Sequence, residues 1–318
     1  MLRTASFRLA AAMLAATTLP AAAAQFPLAP AQTAIGAVRV DVTGPADTLL
    51  DVARREDLGY TQLIAANPGI DPWLPGAGTR VVIPDLYLLP DAPRRGIVVN
   101  LAAQRLYYFP RGGGTVETFP IGIGVEGWAT RLGVTRVVAK EKAPTWYPPP
   151  SILAQRPDLP RAIPPGPDDP LGQYALRLGW TNYLIHGTNK PDGVGRRVSH
   201  GCLHLYPADI EKLFDEVAVG TPVRVVDQRV EIGWIGDRLY VAVHPSVAAA
   251  DALDIGESVK PRVPADLIAR VAEAAGADAR RVDWPEVARI GLAQSGIPAP
   301  VLERADRLVV SEVPAPAP

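Results

Sequence analysis

The sequence predicts a mostly β domain at residues 95–227, flanked by a small α+β module and a C-terminal extension. Three observations support this division. Alternating, strand-like patterns dominate the central domain, a strand–helix–helix–strand pattern fills residues 38–84, and residues 228–318 combine a β-hairpin pattern with helical periodicity. Linkers rich in proline precede the module at 25–37 and the central domain at 90–95.

Length and composition set the limits of this organisation. The chain has 318 residues, 48% of them hydrophobic, which is enough for about two domains with buried cores. The formal net charge is −1. A protein without a basic surplus lacks the electrostatic property typical of nucleic-acid binding, so no nucleic-acid partner is expected.

The N-terminus has the pattern of a secretory leader. Arg3 and Arg8 supply positive charge, and the apolar run at 9–16 is too short to span a bilayer. Alanines before Gln25 provide a cleavage site, which predicts a signal peptide at residues 1–24. We therefore expect an exported protein with no transmembrane segment after cleavage.

The small module has alternating apolar residues at 38–42, which predict a strand. Asp47 is a candidate N-cap for a first helix, and a second helix is predicted at 61–66. That helix ends before Asn67-Pro68-Gly69, and a strand at 81–83 closes the module.

The module resembles a lysin-motif (LysM) domain. The residues that carry the resemblance are Gly44-Pro45-Ala46-Asp47-Thr48-Leu49, Leu63-Ile64-Ala65-Ala66-Asn67-Pro68, Leu74-Pro75-Gly76 and Val81-Val82-Ile83-Pro84. The resemblance implies binding of glycans that contain N-acetylglucosamine, such as peptidoglycan. The alternative is a module that only packs on its neighbour.

In the central domain, strands and one helix are expected in a regular succession. The predicted strands are 97–101, 105–109, 118–124, 133–138, 174–178, 183–186 and 222–226, with a helix at 207–216. Between them, residues 144–170 contain ten prolines and predict a long loop without regular helix. Long loops of this kind are often binding elements, and Trp146 and Tyr147 lie in it.

The extension shows a hairpin pattern at 230–243, with Gly236-Asp237 at the turn. Helices are predicted at 264–275 and 284–294. Nothing in residues 228–318 indicates a chemical role.

Chemistry is concentrated at His186-Gly187-Thr188 and at Ser199-His200-Gly201-Cys202-Leu203-His204. These short runs contain the only cysteine and three of the four histidines. A free thiol has a pKa near 8.5 and usually needs a neighbouring base, so we predict Cys202 as nucleophile and His186 as base. Gly201 allows a tight turn, which predicts an oxyanion hole from the amides of Gly201 and Cys202.

Zinc binding is the main chemical alternative. His186, His200, Cys202 and His204 are suitable ligand types, but they lack the paired spacing of common zinc sites. We therefore expect neither a metal nor another cofactor.

The central domain resembles the catalytic domain of L,D-transpeptidases, the YkuD-type β-sandwich with a short helix. With the LysM-like module, the resemblance extends to the periplasmic ErfK/YbiS-like subgroup. The residues that carry it are His186-Gly187-Thr188, Ser199-His200-Gly201-Cys202, Pro144-Thr145-Trp146, Pro165-Gly166-Pro167-Asp168, Gly195-Arg196-Arg197-Val198 and Asp209-Ile210.

The resemblance implies a role for each site residue. Cys202 would be the nucleophile and His186 the proton donor and acceptor, oriented by the Gly187 carbonyl. Ser199, His200 and Gly201 would support the turn. The family usually has arginine where this chain has His204, and an imidazole near its ordinary pKa of about 6.5 is only partly charged at neutral pH. Candidate substrate-binding residues are therefore His204, Arg196, Arg197, Trp146 and Tyr147.

The implied reaction is transfer of a peptidoglycan stem peptide. The thiol would attack the bond between meso-diaminopimelate and the terminal D-Ala of a tetrapeptide. An amine of a second stem would then give a 3→3 crosslink, or the lysine of an outer-membrane lipoprotein would accept the acyl group. Two alternatives remain open: water as acceptor, in a carboxypeptidase or endopeptidase, and a non-catalytic wall-binding protein.

Overall fold

The computed structural model describes residues 24–125, 127–257 and 259–304. The predicted signal peptide lies outside the described residues, apart from residue 24. None of the described helices has both the length and the apolar stretch needed to cross a bilayer.

Two short strands and the module precede the central domain. The elements are β1 (Ala24–Pro27), β2 (Ala34–Ile35), β3 (Val38–Val42), α1 (Leu49–Arg55), α2 (Tyr60–Ala66), β4 (Arg80–Pro84) and β5 (Tyr87–Leu88). β3 and β4 pair antiparallel. The module has its own hydrophobic core, in which Leu49, Leu63 and Ile83 are fully buried.

The N-cap of helix α1 is Thr48, one residue after the predicted cap. The Thr48 side chain accepts a hydrogen bond from the Asp51 amide, and the Asp51 carboxylate accepts one from the Thr48 amide. Asp47 instead accepts the Gly44 amide at 2.9 Å. The prediction of Asp47 as the cap is therefore wrong, because the reciprocal capping box forms at the next residue.

The central domain is built on a nine-stranded sheet, which confirms the mostly β prediction. Its elements are β6 (Gly96–Asn100), β7 (Arg105–Phe109), β8 (Thr115–Pro120), β9 (Ile123–Gly124), β10 (Gly133–Lys142), α3 (Pro150–Gln155), β11 (Tyr174–Leu178), β12 (Leu184–His186), β13 (Arg197–Ser199), β14 (Leu203–His204), α4 (Pro207–Glu216) and β15 (Pro222–Val226). The strand order is β1-β8-β7-β6-β15-β10-β11-β12-β14. The short strands β12 and β14 therefore end the sheet on one side.

The largest core cluster holds these two strands in place. Ile185 of β12 and Leu203 of β14 are buried in it beside Phe119, and α4 contributes Ile210 and Leu213. Burial of such side chains stabilises a domain by about 1.5–3 kcal/mol each. The strand ends that carry His186 and Cys202 are therefore fixed from the core side.

The proline-rich loop contains a helix that the sequence did not predict. α3 begins at Pro150, immediately after its N-cap Pro149. In the first turn of a helix, backbone N–H groups have no hydrogen-bond partner within the helix. Proline, which lacks this N–H group, is therefore tolerated at this position. The prediction of a loop without regular helix is wrong for residues 150–155.

The extension consists of β16 (Val230–Ile235), β17 (Arg238–Val243), α5 (Val247–Asp254), α6 (Leu267–Ala275), α7 (Trp284–Ala293) and β18 (Ala299–Glu303). β16, β17 and β18 form an antiparallel sheet. α6 and α7 pack on it around a separate core that includes Leu239, Val271 and Ile290. The sequence did not predict α5 or β18.

A pair of buried carboxyl groups joins the module to the central domain. Asp57 follows α1 and Asp209 lies in the first turn of α4, and the two carboxyl groups influence each other's pKa. Both Oδ2 atoms are buried without a hydrogen-bond partner among the described residues. Burial first, and then the neighbouring Asp57, raise the pKa of Asp209 well above its usual range. The Asp209 carboxyl therefore keeps its proton to a higher pH than an exposed carboxyl does.

We predict that Asp209→Asn stabilises the protein at alkaline pH. Asp209 has a higher pKa in the folded than in the unfolded chain, so its contribution to stability is present at low pH and is lost as pH rises. An amide removes this loss and can donate to Asp57. The free energy of unfolding should rise by about 2 kcal/mol at pH 8 and by less at pH 4, measured by urea unfolding.

The matched control is Asp266→Asn, because that carboxylate is exposed in the extension. It should show no gain that grows with pH. Equal or lower stability of Asp209→Asn at pH 8 would contradict the raised pKa of Asp209.

Candidate active site

His186 is the last residue of β12 and is 8% exposed. Its Nδ1 lies 2.6 Å from the Gly187 carbonyl oxygen. A carbonyl oxygen only accepts hydrogen bonds, so Nδ1 carries the proton and Nε2 has a free lone pair. The imidazole is therefore held in the tautomer that a base requires.

The surroundings of His186 keep this ring uncharged. Burial, and next the neighbouring His204, lower the pKa of His186 to about 3, although the carbonyls of Gly187 and Leu171 oppose the shift. At neutral pH the ring is therefore neutral and able to accept a proton.

Cys202 directly precedes β14, which pairs in parallel with β12. In the register, Leu203 lies beside Ile185 and His204 beside His186. Ile185 and Leu203 face the core. Because side chains alternate along strands, Cys202, His186 and His204 lie on the opposite face. His186 is paired with His204, two residues after Cys202, so Cys202 and His186 are diagonal neighbours on that face.

The thiol of Cys202 is partly exposed and protonated. Its Sγ donates to the Asn182 carbonyl oxygen at 3.6 Å. Burial raises the pKa of the Cys202 thiol, and the Leu184 amide only partly opposes this. Forming the nucleophilic thiolate at neutral pH therefore requires a base.

Ser199 fixes the turn that leads to Cys202. Its Oγ donates to the Cys202 carbonyl oxygen at 2.6 Å and accepts from the Gly201 amide at 3.2 Å. Gly201 has a φ of +102°, a conformation that favours glycine. Because the Gly201 amide is used inside the turn, its predicted part in an oxyanion hole is wrong, and only the Cys202 amide remains of that pair.

Aromatic residues that the sequence reasoning missed surround this turn. The Trp128 ring lies 5.0 Å from the exposed His200 ring, measured between centroids. A Cβ added to Gly201 would lie 3.5 Å from the Tyr183 ring. Asn182 acts through its backbone carbonyl, which leaves no trace in the sequence. Trp128 and Tyr183 lie outside the short motifs, so no local pattern identifies them.

His204 is buried beside His186 instead of facing solvent. It is 4% exposed, and the two imidazole centroids lie 6.1 Å apart. A Cβ on Gly122 would overlap the His204 ring, and one on Gly193 would lie 3.0 Å from Nε2. Burial lowers the pKa of His204, so it offers no fixed positive charge. Its role in binding substrate stays a prediction.

Arg196 and Arg197 are both engaged by the extension. Arg196 donates to both carboxylate oxygens of Asp254 through Nε and Nη2, with Nη2 and Oδ2 3.0 Å apart. Arg197 Nε donates to Asp251 at 2.8 Å. Arg196 cannot use this edge for a substrate carboxylate without displacing Asp254, whereas Arg197 holds Asp251 through Nε alone.

Trp146 and Tyr147 lie in the proline-rich loop. Trp146 exchanges backbone hydrogen bonds with Ile163, and Tyr147 is 67% exposed. The loop meets the site through Asn189, whose Nδ2 donates to the Pro167 carbonyl at 3.1 Å. A binding role for the two aromatic residues stays a prediction.

Within residues 24–125, 127–257 and 259–304, no group of three or more His, Cys, Asp or Glu side chains is placed to hold a metal ion.

Comparison with known proteins places this site in a family context. Residues 94–225 match the YkuD L,D-transpeptidase catalytic domain. The probable L,D-transpeptidase YcfS of Escherichia coli K12 is 42% identical over 71% of this chain and 73% of that protein. The probable L,D-transpeptidase YbiS of the same strain is 42% identical over 66% and 70%. For the probable L,D-transpeptidase ErfK/SrfK, identity is 49%, but the match covers only 54% of this chain and 57% of that protein.

Proposed function

The chain belongs to the L,D-transpeptidase family, and on that premise we propose that it transfers peptidoglycan stem peptides through a thioester on Cys202. His186 is the proposed base and acid. The donor is a tetrapeptide stem, which loses its terminal D-Ala. The acceptor is an amine, either on a second stem or on the lysine of an outer-membrane lipoprotein.

The observation that carries this proposal is the arrangement of β12 and β14. The two parallel strands present the neutral His186 imidazole and the Cys202 thiol on one face. Hydrogen bonding to Gly187 leaves Nε2 as the proton acceptor. Because burial keeps the thiol protonated, attack requires a base, and the neutral imidazole on the same face is the candidate for it.

The reaction proceeds in two acyl transfers. As Sγ attacks the carbonyl carbon that joins meso-diaminopimelate to D-Ala, its proton passes to His186 Nε2. The Cys202 amide donates to the oxyanion of the tetrahedral intermediate. Protonated His186 then gives its proton to the departing D-Ala nitrogen, leaving a thioester. An acceptor amine attacks this thioester, and its proton returns through His186 to the thiol.

The rest of the chain fits an extracytoplasmic, wall-associated role. We propose that residues 1–24 direct export to the periplasm and that residues 38–84 bind glycan strands. In that module Trp73 is 51% and Leu74 81% exposed. Exposed aromatic and aliphatic surface of this kind suits contact with the apolar faces of sugar rings.

The test uses the purified, reduced chain and a disaccharide-tetrapeptide. Intact mass should show a tripeptide acyl group on the protein, and free D-Ala should appear together with a crosslinked dimer. Tripeptide without dimer would identify the hydrolytic alternative. Folded, reduced protein that gives neither an acyl group nor D-Ala would contradict the proposal.

A further inference from the structure

We propose that the C-terminal extension positions the catalytic turn: Asp251 and Asp254 of α5 hold Arg197 and Arg196, and thereby fix β13, which leads directly into Cys202. This assigns a role to helix α5 of the extension. Its kinetic consequence rests on the proposed function, whereas its structural consequence does not.

Within its own domain, β13 is weakly held. Its partner is the two-residue strand β9, and the register between them is irregular. Val198, in the middle of β13, is 46% exposed. Short and irregular strand pairing leaves a segment open to local unfolding, so accurate placement of the adjoining thiol needs further contacts.

The extension supplies those contacts through two partly buried ion pairs. The Arg196–Asp254 pair is bidentate, and both side chains are about four-fifths buried. The Arg197 side chain is 12% exposed, and its Nε lies 2.8 Å from Asp251. Bidentate guanidinium–carboxylate pairs fix geometry as well as distance. Arg196, just before β13, and Arg197, its first residue, are thus held by one helix.

The LysM-like module also holds the residues just before β13. At the start of α2, the Tyr60 amide donates to the Val194 carbonyl at 3.3 Å, and the Thr61 amide donates to the Gly195 carbonyl at 3.0 Å. Gly195 has a φ of +74°, and a Cβ there would clash with the Gly59 backbone. Close contact between two glycines therefore brings the backbone of the module against the segment that precedes β13.

Helix α5 itself rests on the module, because Leu253 packs against the module core. The Arg196 guanidinium also lies over the Tyr60 ring, 5.1 Å from its centroid. α5, α2 and the arginine pair are thus in contact with one another. The segment that leads into the catalytic turn therefore has support from outside the catalytic domain as well as from Ser199 within it.

The same contacts allow an opposite interpretation, in which the aspartates block arginines that bind the carboxylates of the substrate. We favour positioning because a substrate would have to displace two partly buried ion pairs at once. The two interpretations predict opposite effects when the aspartates lose their charge. Positioning predicts slower acylation, and blocking predicts faster acylation with tighter substrate binding.

The experiment compares the full chain with the double variant Asp251→Asn, Asp254→Asn. Acylation of Cys202 by disaccharide-tetrapeptide should slow about tenfold through kcat, while KM changes by less than about twofold. Hydrogen exchange, read by mass spectrometry, should speed up in peptides that cover residues 197–204. Asp254→Glu keeps the carboxylate and should retain most of the rate. Asp266→Asn, which removes an exposed carboxylate elsewhere in the extension, is the matched control.

Each outcome has one meaning. A higher kcat/KM in the double variant overturns positioning in favour of blocking. Unchanged rate and unchanged exchange at 197–204 also overturn it. If the unaltered chain releases no D-Ala, the proposed function fails, but faster exchange confined to 197–204 in the double variant still supports positioning.

Discussion

Replacing Cys202 by serine should reduce D-Ala release from a tetrapeptide by at least about a thousandfold. Serine keeps the size of the side chain and its hydrogen bond to the Asn182 carbonyl. Its hydroxyl is far harder to ionise than a thiol, so the same imidazole removes its proton much less readily. The variant should therefore bind substrate without forming the acyl intermediate.

The measurement is intact mass together with D-Ala release, and circular dichroism checks the fold. Cys202 is the only cysteine, so every thiol-directed label on the unaltered chain reports this site. Iodoacetamide should add one label to the unaltered chain and block turnover, and the serine variant should take up none. Cys202→Ser that still releases D-Ala at a comparable rate would remove the thiol from the mechanism.

The sequence correctly predicted elements that are determined by residues close together along the chain. The helix at 207–216 and the strand at 222–226 have the predicted bounds, because their apolar spacing is regular and Pro207 marks the helix start. The cysteine and histidine motifs were equally visible. Their residues are scarce in this chain and lie close together in sequence.

Features that depend on distant parts of the chain could not be predicted. α5 is rich in alanine and has a weak amphipathic pattern, so its contact with Arg196 and Arg197 exists only in the folded chain. The paired carboxyls of Asp57 and Asp209 likewise meet only when α4 packs near the module. The direction of the Gly201 amide was missed for a different reason: it depends on a hydrogen bond to Ser199 inside a turn whose conformation the motif does not specify.

The second large effect is expected at His186. His186→Gln should lower the rate of acylation at pH 7 by about 10²–10⁴-fold, because glutamine cannot take the thiol proton. Burial of the imidazole and its pKa near 3 mean that the unaltered site already holds a neutral base at pH 5. Acylation of the unaltered chain should therefore vary only weakly between pH 5 and 8.

The variant should behave differently, since its remaining activity depends on spontaneous ionisation of Cys202. Burial raises the pKa of that thiol, so the thiolate fraction grows about tenfold per pH unit throughout this range. The residual acylation rate of His186→Gln should therefore also rise about tenfold per pH unit. The rate is measured by intact mass at pH 5, 6, 7 and 8.

His244→Gln is the matched control, because it removes a histidine of the extension that is bonded to Glu231 and lies outside the catalytic domain. It should keep both the rate and the shallow pH dependence of the unaltered chain. A His186→Gln variant whose rate stays high and equally independent of pH would mean that the thiol loses its proton to another group. In that case the cross-strand arrangement of His186 and Cys202 would have no catalytic role.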